Sequence, residues 1–572
     1  VLVGVVAVVL VLFTGWQALQ AKEALADVAD DFTELSEQLT AGDSAAARET
    51  LADAQADADR ARSKTDGPGW WLTSRIPGVG PNVVAVRTVA DVTDELATGV
   101  LPGVVEATET LKPANLRPRG RRIDLEPLTA VAPQVVASDE RLQTQVDRVR
   151  GLDVEELAPQ LAAPVRLLQD KLQEAASLSK RASLAVRLLP PMLGAEGRRD
   201  YLMLFQNNAE VRATGGIPGA FAVVTADHGR ITLGKQGDAA TIGRFEEPPI
   251  PLTGDEVQLF GENLGRYPQD VNFTPDFPRS AQLIRAMWNE RHGLQVDGVL
   301  STDPVALSYL LRGTGPVPLA GGRTLTADNA VSLLLSDVYA EIKDPTRQNI
   351  FFASVARNVF EAVTSGQGEP QAVLDALAQG GDERRLLVWS SHPEEQALLG
   401  PTRLGGVLAT EPQDFPRVGV FLNDGTGAKM DYYLDYSADL RADRCVAGRQ
   451  HLTVELSLRS LAPADASTLP DYVAESVAGA PRGTIRTTLL LYAPVGGWLE
   501  SARLDGGDQQ LAGLEHDGRA LTRTTLDLAP GQRRSLTLEL VSGRDQTGQP
   551  TLRVTPGARG PGVGTVTRSA CS

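Results

Sequence analysis

The sequence predicts a multidomain α+β protein. It reads as a transmembrane helix over 1–21, a helical stalk or bundle over 22–190, a mixed α/β domain over 195–380 and a C-terminal immunoglobulin-like β-sandwich over 385–572. Three observations predict it. The first 21 residues carry no charge, apolar residues then recur at helical spacing to about residue 190, and beyond Tyr201 the period shortens to that of strands. A chain of 572 residues also exceeds the size at which a single core stops growing.

Residues 1–21, VLVGVVAVVLVLFTGWQALQA, match the about 20 apolar residues that a helix needs to cross a bilayer core. A single-pass anchor is favoured over a cleavable signal peptide, because the run is long, no small-x-small site follows and Trp16 takes an interfacial position. The chain opens on Val1, so a cytoplasmic piece is expected ahead of it. The acidic segment Glu23–Asp59 sets that flank outside by the positive-inside rule. The expectation is therefore a plasma-membrane protein with the bulk of the chain extracytoplasmic.

In the helical region Leu25, Val28, Phe32, Leu35 and Leu39 alternate spacings of three and four, which places them on one seam. Leu157, Leu161, Val165, Leu168 and Leu172 form a second stripe, and Val86, Val89 and Leu96 mark part of another. Such stripes serve a coiled-coil stalk or a bundle that buries them against each other. The bundle is favoured, because two heptads do not require a partner.

Tyr201–Phe205 and Ala220–Thr225 are short apolar runs, and Asp227-His228-Gly229 is a turn signal leading into Ile231–Leu233. Helices then intervene. Asp303-Pro304 is a cap and first-turn pair, Thr326 opens a further helix, and Asp344-Pro345 opens one that runs toward Val363. From about Arg385 the alternation of Leu452, Val454, Leu456 and Leu458, and of Leu536, Leu538 and Leu540, is that of half-buried strands. Several such strands separated by turns predict the sandwich.

A net charge of −17 and the lack of any long basic window exclude nucleic acid as a partner. Two cysteines, Cys445 and Cys571, are few, as suits export, and a disulfide between them is favoured over two buried thiols. It would close a loop worth about 4 to 5 kcal/mol in the chain-entropy model. There is no G-x-S-x-G, H-E-x-x-H, Walker A or paired C-x-x-C sequence, and the five histidines are dispersed.

Two short motifs carry anion-binding chemistry. In Asp344-Pro345-Thr346-Arg347-Gln348, a capping aspartate and first-turn proline set Arg347 beside the unsatisfied N–H groups of a helix start. A guanidinium there suits phosphate oxygens, though it suits its own capping aspartate equally well. Arg212 precedes Gly215 and Gly216, which allow either close approach to a ligand or a tight turn. Asn207 and Asn208 either donate to an anion or end a strand.

Asp200–Phe221 (DYLMLFQNNAEVRATGGIPGAF), Val296–Val317 and Asp344–Gln348 (DPTRQ) together resemble the domain-of-unknown-function family 4012. At longer range they resemble the LytR-CpsA-Psr enzymes, which attach lipid-carried glycopolymers to the bacterial cell wall. The resemblance implies that Arg212 and Arg347 hold a polyprenyl-linked pyrophosphate, with Mg2+ as cofactor bound by Asp238, which alternatively accepts a proton. Asn207, Asn208, Lys235, Asp344 and Gln348 would line the ligand. Val331, Leu334, Leu335, Phe351, Phe352, Val355 and Val359 would wall a lipid tunnel, though residues so spaced also make ordinary core. Two positions depart from the pattern. Thr214 stands where the family has an aspartate, and Gln236-Gly237-Asp238 where it has Pro-Arg-Asp, with Lys235 a poor substitute for the lost arginine. Two functions follow: a phosphotransferase that binds a polyprenyl-(pyro)phosphate-linked glycopolymer and transfers it to the wall, or a non-catalytic scaffold for envelope protein partners.

Overall fold

The computed structural model describes residues 20–21, 23–39, 43–110, 117–475, 479–510 and 512–571. It is multidomain and α+β, and falls into two compact units, one helical and ending at Gly197, the other running from Arg198 onward with residues 118–122 joined to it.

The helical unit is built from Ser44–Thr65, Gly80–Glu95, Leu101–Thr110, Glu126–Arg150 and Pro159–Met192. Asp43 caps the first by accepting from the Ala46 N–H at 3.1 Å, and prolines open the last two and Gly80–Glu95, where a missing N–H leaves no bond unmade. Gly103 brings its helix so close to Glu126–Arg150 that a Cβ there would strike the Ser138 hydroxyl. The apolar stripes find partners within the unit. Val28 packs on Ala58 and Ala97, Leu35 on Leu51 and Val105, Leu172 on Leu96, Leu142 and Val146, and Leu157 with Val165 on Ala85.

The expected single-pass anchor is corrected here. Among the described residues no helix is long and apolar enough to cross a membrane, which overturns the transmembrane element and the plasma-membrane placement derived from it. Pro159–Met192, with 34 residues, is long enough, but Arg166, Asp170, Lys171 and Glu174 in its first half and Lys180, Arg181 and Arg187 in its second interrupt the apolar run a bilayer requires. Of the proposed span itself, residues 1–19 lie outside the described residues.

In the larger unit β1 (Arg199–Arg212), β2 (Gly215–Asp227), β3 (Arg230–Asp238) and β4 (Gly298–Thr302) precede a small hairpin, β5 (Val317–Pro318) with β6 (Thr324–Leu325), and β7 (Leu387–Ser390) follows. The sheet order is β3-β2-β1-β4-β7. β1 pairs antiparallel with β2 and parallel with β4, the parallel step requiring the crossover that Phe277–His292 provides. His228 and Gly229 both take positive φ, 48° and 77°, the geometry of a tight two-residue hairpin. One sheet face buries Leu202, Leu204, Phe221, Val223 and Val299 against Phe277, Ile284, Met287 and Trp288.

The sandwich contains β8 (Arg417–Asp424), β9 (Leu434–Val446), β10 (Arg449–Ser460), β11 (Ile485–Tyr492), β12 (Trp498–Leu504), β13 (Gly507–Asp508), β14 (Leu514–His516), β15 (Arg519–Leu528), β16 (Arg533–Val541), β17 (Thr551–Val554) and β18 (Val563–Val566). They form a six-stranded sheet, β13-β12-β16-β10-β9-β18, and a five-stranded one, β14-β15-β11-β8-β17. One core joins them, with Leu422, Leu489 and Leu526 facing Leu440, Val454 and Leu538. This is larger than the about seven to nine strands of an immunoglobulin domain. Two added edge strands, β17 and β18, pair parallel to β8 and β9, and the Cys445–Cys571 disulfide ties the chain end back to β9.

Candidate functional site

β1 keeps strict register with β2 through Phe205 and then slips twice, before Gln206 and between Asn207 and Val211. Such bulges re-aim side chains. Here they turn the last third of β1 into the sandwich. Val211 N–H donates to Asp431 Oδ2 at 2.9 Å and Ala213 N–H to Asn423 Oδ1 at 2.9 Å, while Thr555 Oγ1 donates to the Ala213 carbonyl at 3.0 Å. Gly216 N–H donates to Gln206 Oε1 at 2.6 Å. A Cβ on Gly216 would meet the Asn207 backbone at 2.5 Å, so the glycine pair makes a close strand crossing rather than an opening for a ligand.

Arg212 lies at the centre of this junction, 5 % exposed. Its guanidinium sits 3.7 Å from Asp270 and 3.7 Å from Asp424, stacks over the Phe273 ring at 4.6 Å and donates to the Val211 carbonyl at 3.0 Å. Burial pushes Asp270 up to about 6 against the pull of Arg212. Asp424 is raised by burial as well, and Asp431 rises well above its ordinary value through burial and then through the neighbouring Asp424. Beside them the buried Lys429 pairs with Glu210 and lies 4.6 Å from the ring centres of both Tyr339 and Tyr472.

The neighbouring asparagines are equally committed. Asn207 Nδ2 donates to Tyr339 Oη at 2.6 Å. Asn208 Nδ2 donates to Asp303 Oδ2 at 3.1 Å, and the same oxygen accepts from the fully buried Arg385 at 2.8 Å. Asp303 also caps its helix through the Ala306 N–H at 2.7 Å.

The remaining candidates gather elsewhere. Asp238 caps the short helix Ala239–Ile242 by accepting from the Thr241 N–H at 2.9 Å and accepts a second bond from Asn349 Nδ2. That bond places it beside the start of the helix Pro345–Thr364. There Asp344 accepts from the N–H groups of Thr346 at 2.8 Å and Arg347 at 3.4 Å. Gln348 is buried and donates to the Ile342 carbonyl at 2.6 Å, whereas the Arg347 side chain is exposed. Lys235 approaches His292 Nδ1 at 2.9 Å, and burial, then Lys235, lowers the histidine pKa.

The structure thus brings Asp238 to the helix of Asp344, Arg347 and Gln348, but not Arg212. Ala220 faces Asp238 across β2–β3 and Phe205 across β1–β2. Arg212 stands seven residues beyond Phe205, a distance on the order of 20 Å at about 3.3 Å per residue. Val355, Val359 and Leu334 pack into a common core with Phe351 and Phe352 at its border, and Leu335 packs on Ala209, Ala558 and Val331. Among the described residues no three His, Cys, Asp or Glu side chains are grouped to hold a metal ion. Both oxygens of Asp238 accept a hydrogen bond, Oδ1 from the Thr241 N–H and Oδ2 from Asn349.

This is an α/β sheet whose central strand, β1, is locked by buried charges into an appended β-sandwich. Residues 196–339 match the family described as "Protein of unknown function (DUF4012)". No curated protein and no solved structure matches the chain.

Proposed function

We propose that this protein is a non-catalytic scaffold of the cell envelope, an assembly of binding surfaces rather than a transferase. The observation that carries this reading is the burial of Arg212 between Asp270 and Asp424. A transferase of the LytR-CpsA-Psr kind needs its arginines to converge on one pyrophosphate, because charge developing in the transition state is stabilised only by groups within contact of it. Arg212 is committed to carboxylates at the sandwich junction, and Arg347 is exposed on a surface helix start. Assignment to the envelope rests on the longer-range resemblance of the Arg212 and Asp344–Gln348 motifs, with support from a disulfide of the type that persists in oxidising compartments.

The test is a transfer and binding assay on the whole chain, with farnesyl pyrophosphate as a soluble polyprenyl pyrophosphate and Mg2+ present. The expected result is no release of phosphate or isoprenyl phosphate, and no effect of Arg347→Ala or Asp238→Ala on any binding seen. Mg2+-dependent turnover, or binding weakened by either variant, would overturn the scaffold reading in favour of carrier-lipid chemistry.

A further inference from the structure

One seam of the larger unit concentrates arginine. In the parallel pair of β17 and β8, Thr551 stands opposite Arg417 and Arg553 opposite Gly419. Paired residues and residues two apart share a sheet face, so Arg417 and Arg553 project on the same side as diagonal neighbours. Residues 401–409 run across that side. Arg553 donates to the Val407 carbonyl at 3.0 Å and the Pro275 carbonyl at 2.9 Å, and buried Arg519 donates to Ala409 at 3.2 Å and Ala493 at 2.7 Å. From the same segment Arg403 reaches the end of the helix Pro370–Asp382, donating to the Asp382 carbonyl at 3.0 Å with its carboxylate 3.5 Å away. Arg384 follows that helix with φ 55°, a left-handed position usually left to glycine or asparagine. The Val388 N–H holds this turn to the segment through the Leu404 carbonyl at 2.8 Å.

The five cations are unequal. Arg519 and Arg553 are committed to carbonyls and Arg403 to Asp382. The half-buried side chains of Arg384 and Arg417 make no hydrogen bond or ion pair among the described residues, Arg417 lying over the Phe415 ring at 4.8 Å. Among the described residues, carboxylates beside these arginines include Asp382, Asp414 beside Arg417, Asp276 beside Arg553, which accepts from the N–H groups of Leu408 at 2.8 Å and Arg279 at 3.2 Å, and Glu383, which is engaged by Arg385. The five guanidiniums outnumber Asp382, Asp414 and Asp276, in a chain of net charge −17. Burial, then Arg553, Arg403 and Arg417, push the Arg384 guanidinium down to about 9, and burial brings Arg519 and Arg553 to about 10. Guanidinium does not deprotonate in proteins, so the seam keeps its positive charge.

We propose that Arg384 and Arg417, flanked by Arg403, form a binding site for a phosphate-class oxyanion, free or lipid-borne. The guanidinium fork matches the paired oxygens of such a group. The site lies apart from Arg212, Asp238 and Arg347 and does not depend on the scaffold reading.

The test is calorimetric titration and thermal unfolding of the whole chain with inorganic phosphate and pyrophosphate at constant ionic strength, with chloride as control. Saturable binding that raises the Tm is expected. Arg384→Asn and Arg417→Gln should each weaken it about tenfold or more, the worth of one charge-assisted hydrogen bond. Without ligand, Arg384→Asn should melt no lower than the native chain, because asparagine accepts the left-handed backbone and a crowded cation is gone. Co-sedimentation with phosphatidylcholine vesicles, with and without phosphatidic acid, separates the sources. Phosphatidic-acid-dependent sedimentation lost in Arg384→Asn assigns a lipid-borne phosphate, and pyrophosphate binding without sedimentation assigns a free one. Absence of saturable binding to all probes, or binding undiminished in both variants, would overturn the proposal.

Discussion

Arg212→Leu should destabilise the larger unit at pH 7, and less so at pH 5. The guanidinium is 5 % exposed, with Asp270 and Asp424 each 3.7 Å away. Removing one member of such a buried set leaves its partners without a counter-charge, which costs about 3–5 kcal/mol. For a unit of this size each kcal/mol lowers the Tm by roughly 2 °C, so a fall of roughly 6–10 °C is expected. The pH arm follows from Asp270, raised to about 6 in the folded chain. A carboxyl raised on folding contributes stability that is full below its unfolded pKa of about 3.9 and lost as pH rises through the folded value. Loss of Arg212 moves the folded value higher still. At pH 5 the variant therefore buries Asp270 protonated, and the deficit against the native chain narrows. Differential scanning calorimetry at the two pH values reads both effects. A folded variant melting within about 1 °C of the native chain at pH 7 would refute the reasoning, because the guanidinium would then be free to serve a ligand. Arg212→Lys should recover only part of the loss, since an ammonium cannot span both carboxylates as a guanidinium does.

Two further outcomes test the same junction and the chain end. Cys445→Ser/Cys571→Ser opens a loop spanning 126 residues, worth about 5 kcal/mol in the chain-entropy model; the denaturation midpoint should fall and β18 become open to proteolysis, and an unchanged midpoint would show that the strand holds without the bond. Lys429→Met should cost about 3–5 kcal/mol by leaving Glu210 buried alone, while Lys429→Met/Glu210→Gln should recover most of that. Equal losses in the single and double variants, measured by denaturant titration, would show that the lysine acts by packing between Tyr339 and Tyr472 and not by charge.

The elements read most directly from sequence are those with local chemistry. Asp344 and Asp303 cap the helices that begin at Pro345 and Pro304, because a short carboxylate before a proline leaves the chain few other choices. The Asp227–Gly229 turn and the alternating leucines of β10 and β16 are local in the same sense. The cysteine pair was legible because two cysteines permit one intrachain bond. The buried charges were not legible. Glu210, Asp424, Lys429, Asp431 and Arg385 each look like surface residues in sequence, and only long-range packing makes ion partners of residues such as Lys429 and Glu210, 219 positions apart. The apolar N-terminal run shows the opposite limit: hydropathy identifies a stretch suited to a bilayer, but no helix among the described residues has that character.

Arg212 shows that a motif alone does not define a site. The motif asks whether a guanidinium follows the first strand; the chemistry depends on where its charge is answered. Asp270 lies within the segment matching the family of unknown function, so part of the answer belongs to that segment. Asp424, Asp431 and Lys429 come from the sandwich, and the N–H of Val211 and the carboxylate of Glu210, both on β1, are satisfied by them. Without the sandwich, the end of β1 would expose Glu210 and Arg212 together with unpaired backbone groups. The β-sandwich is therefore part of the same folding unit as the matched segment.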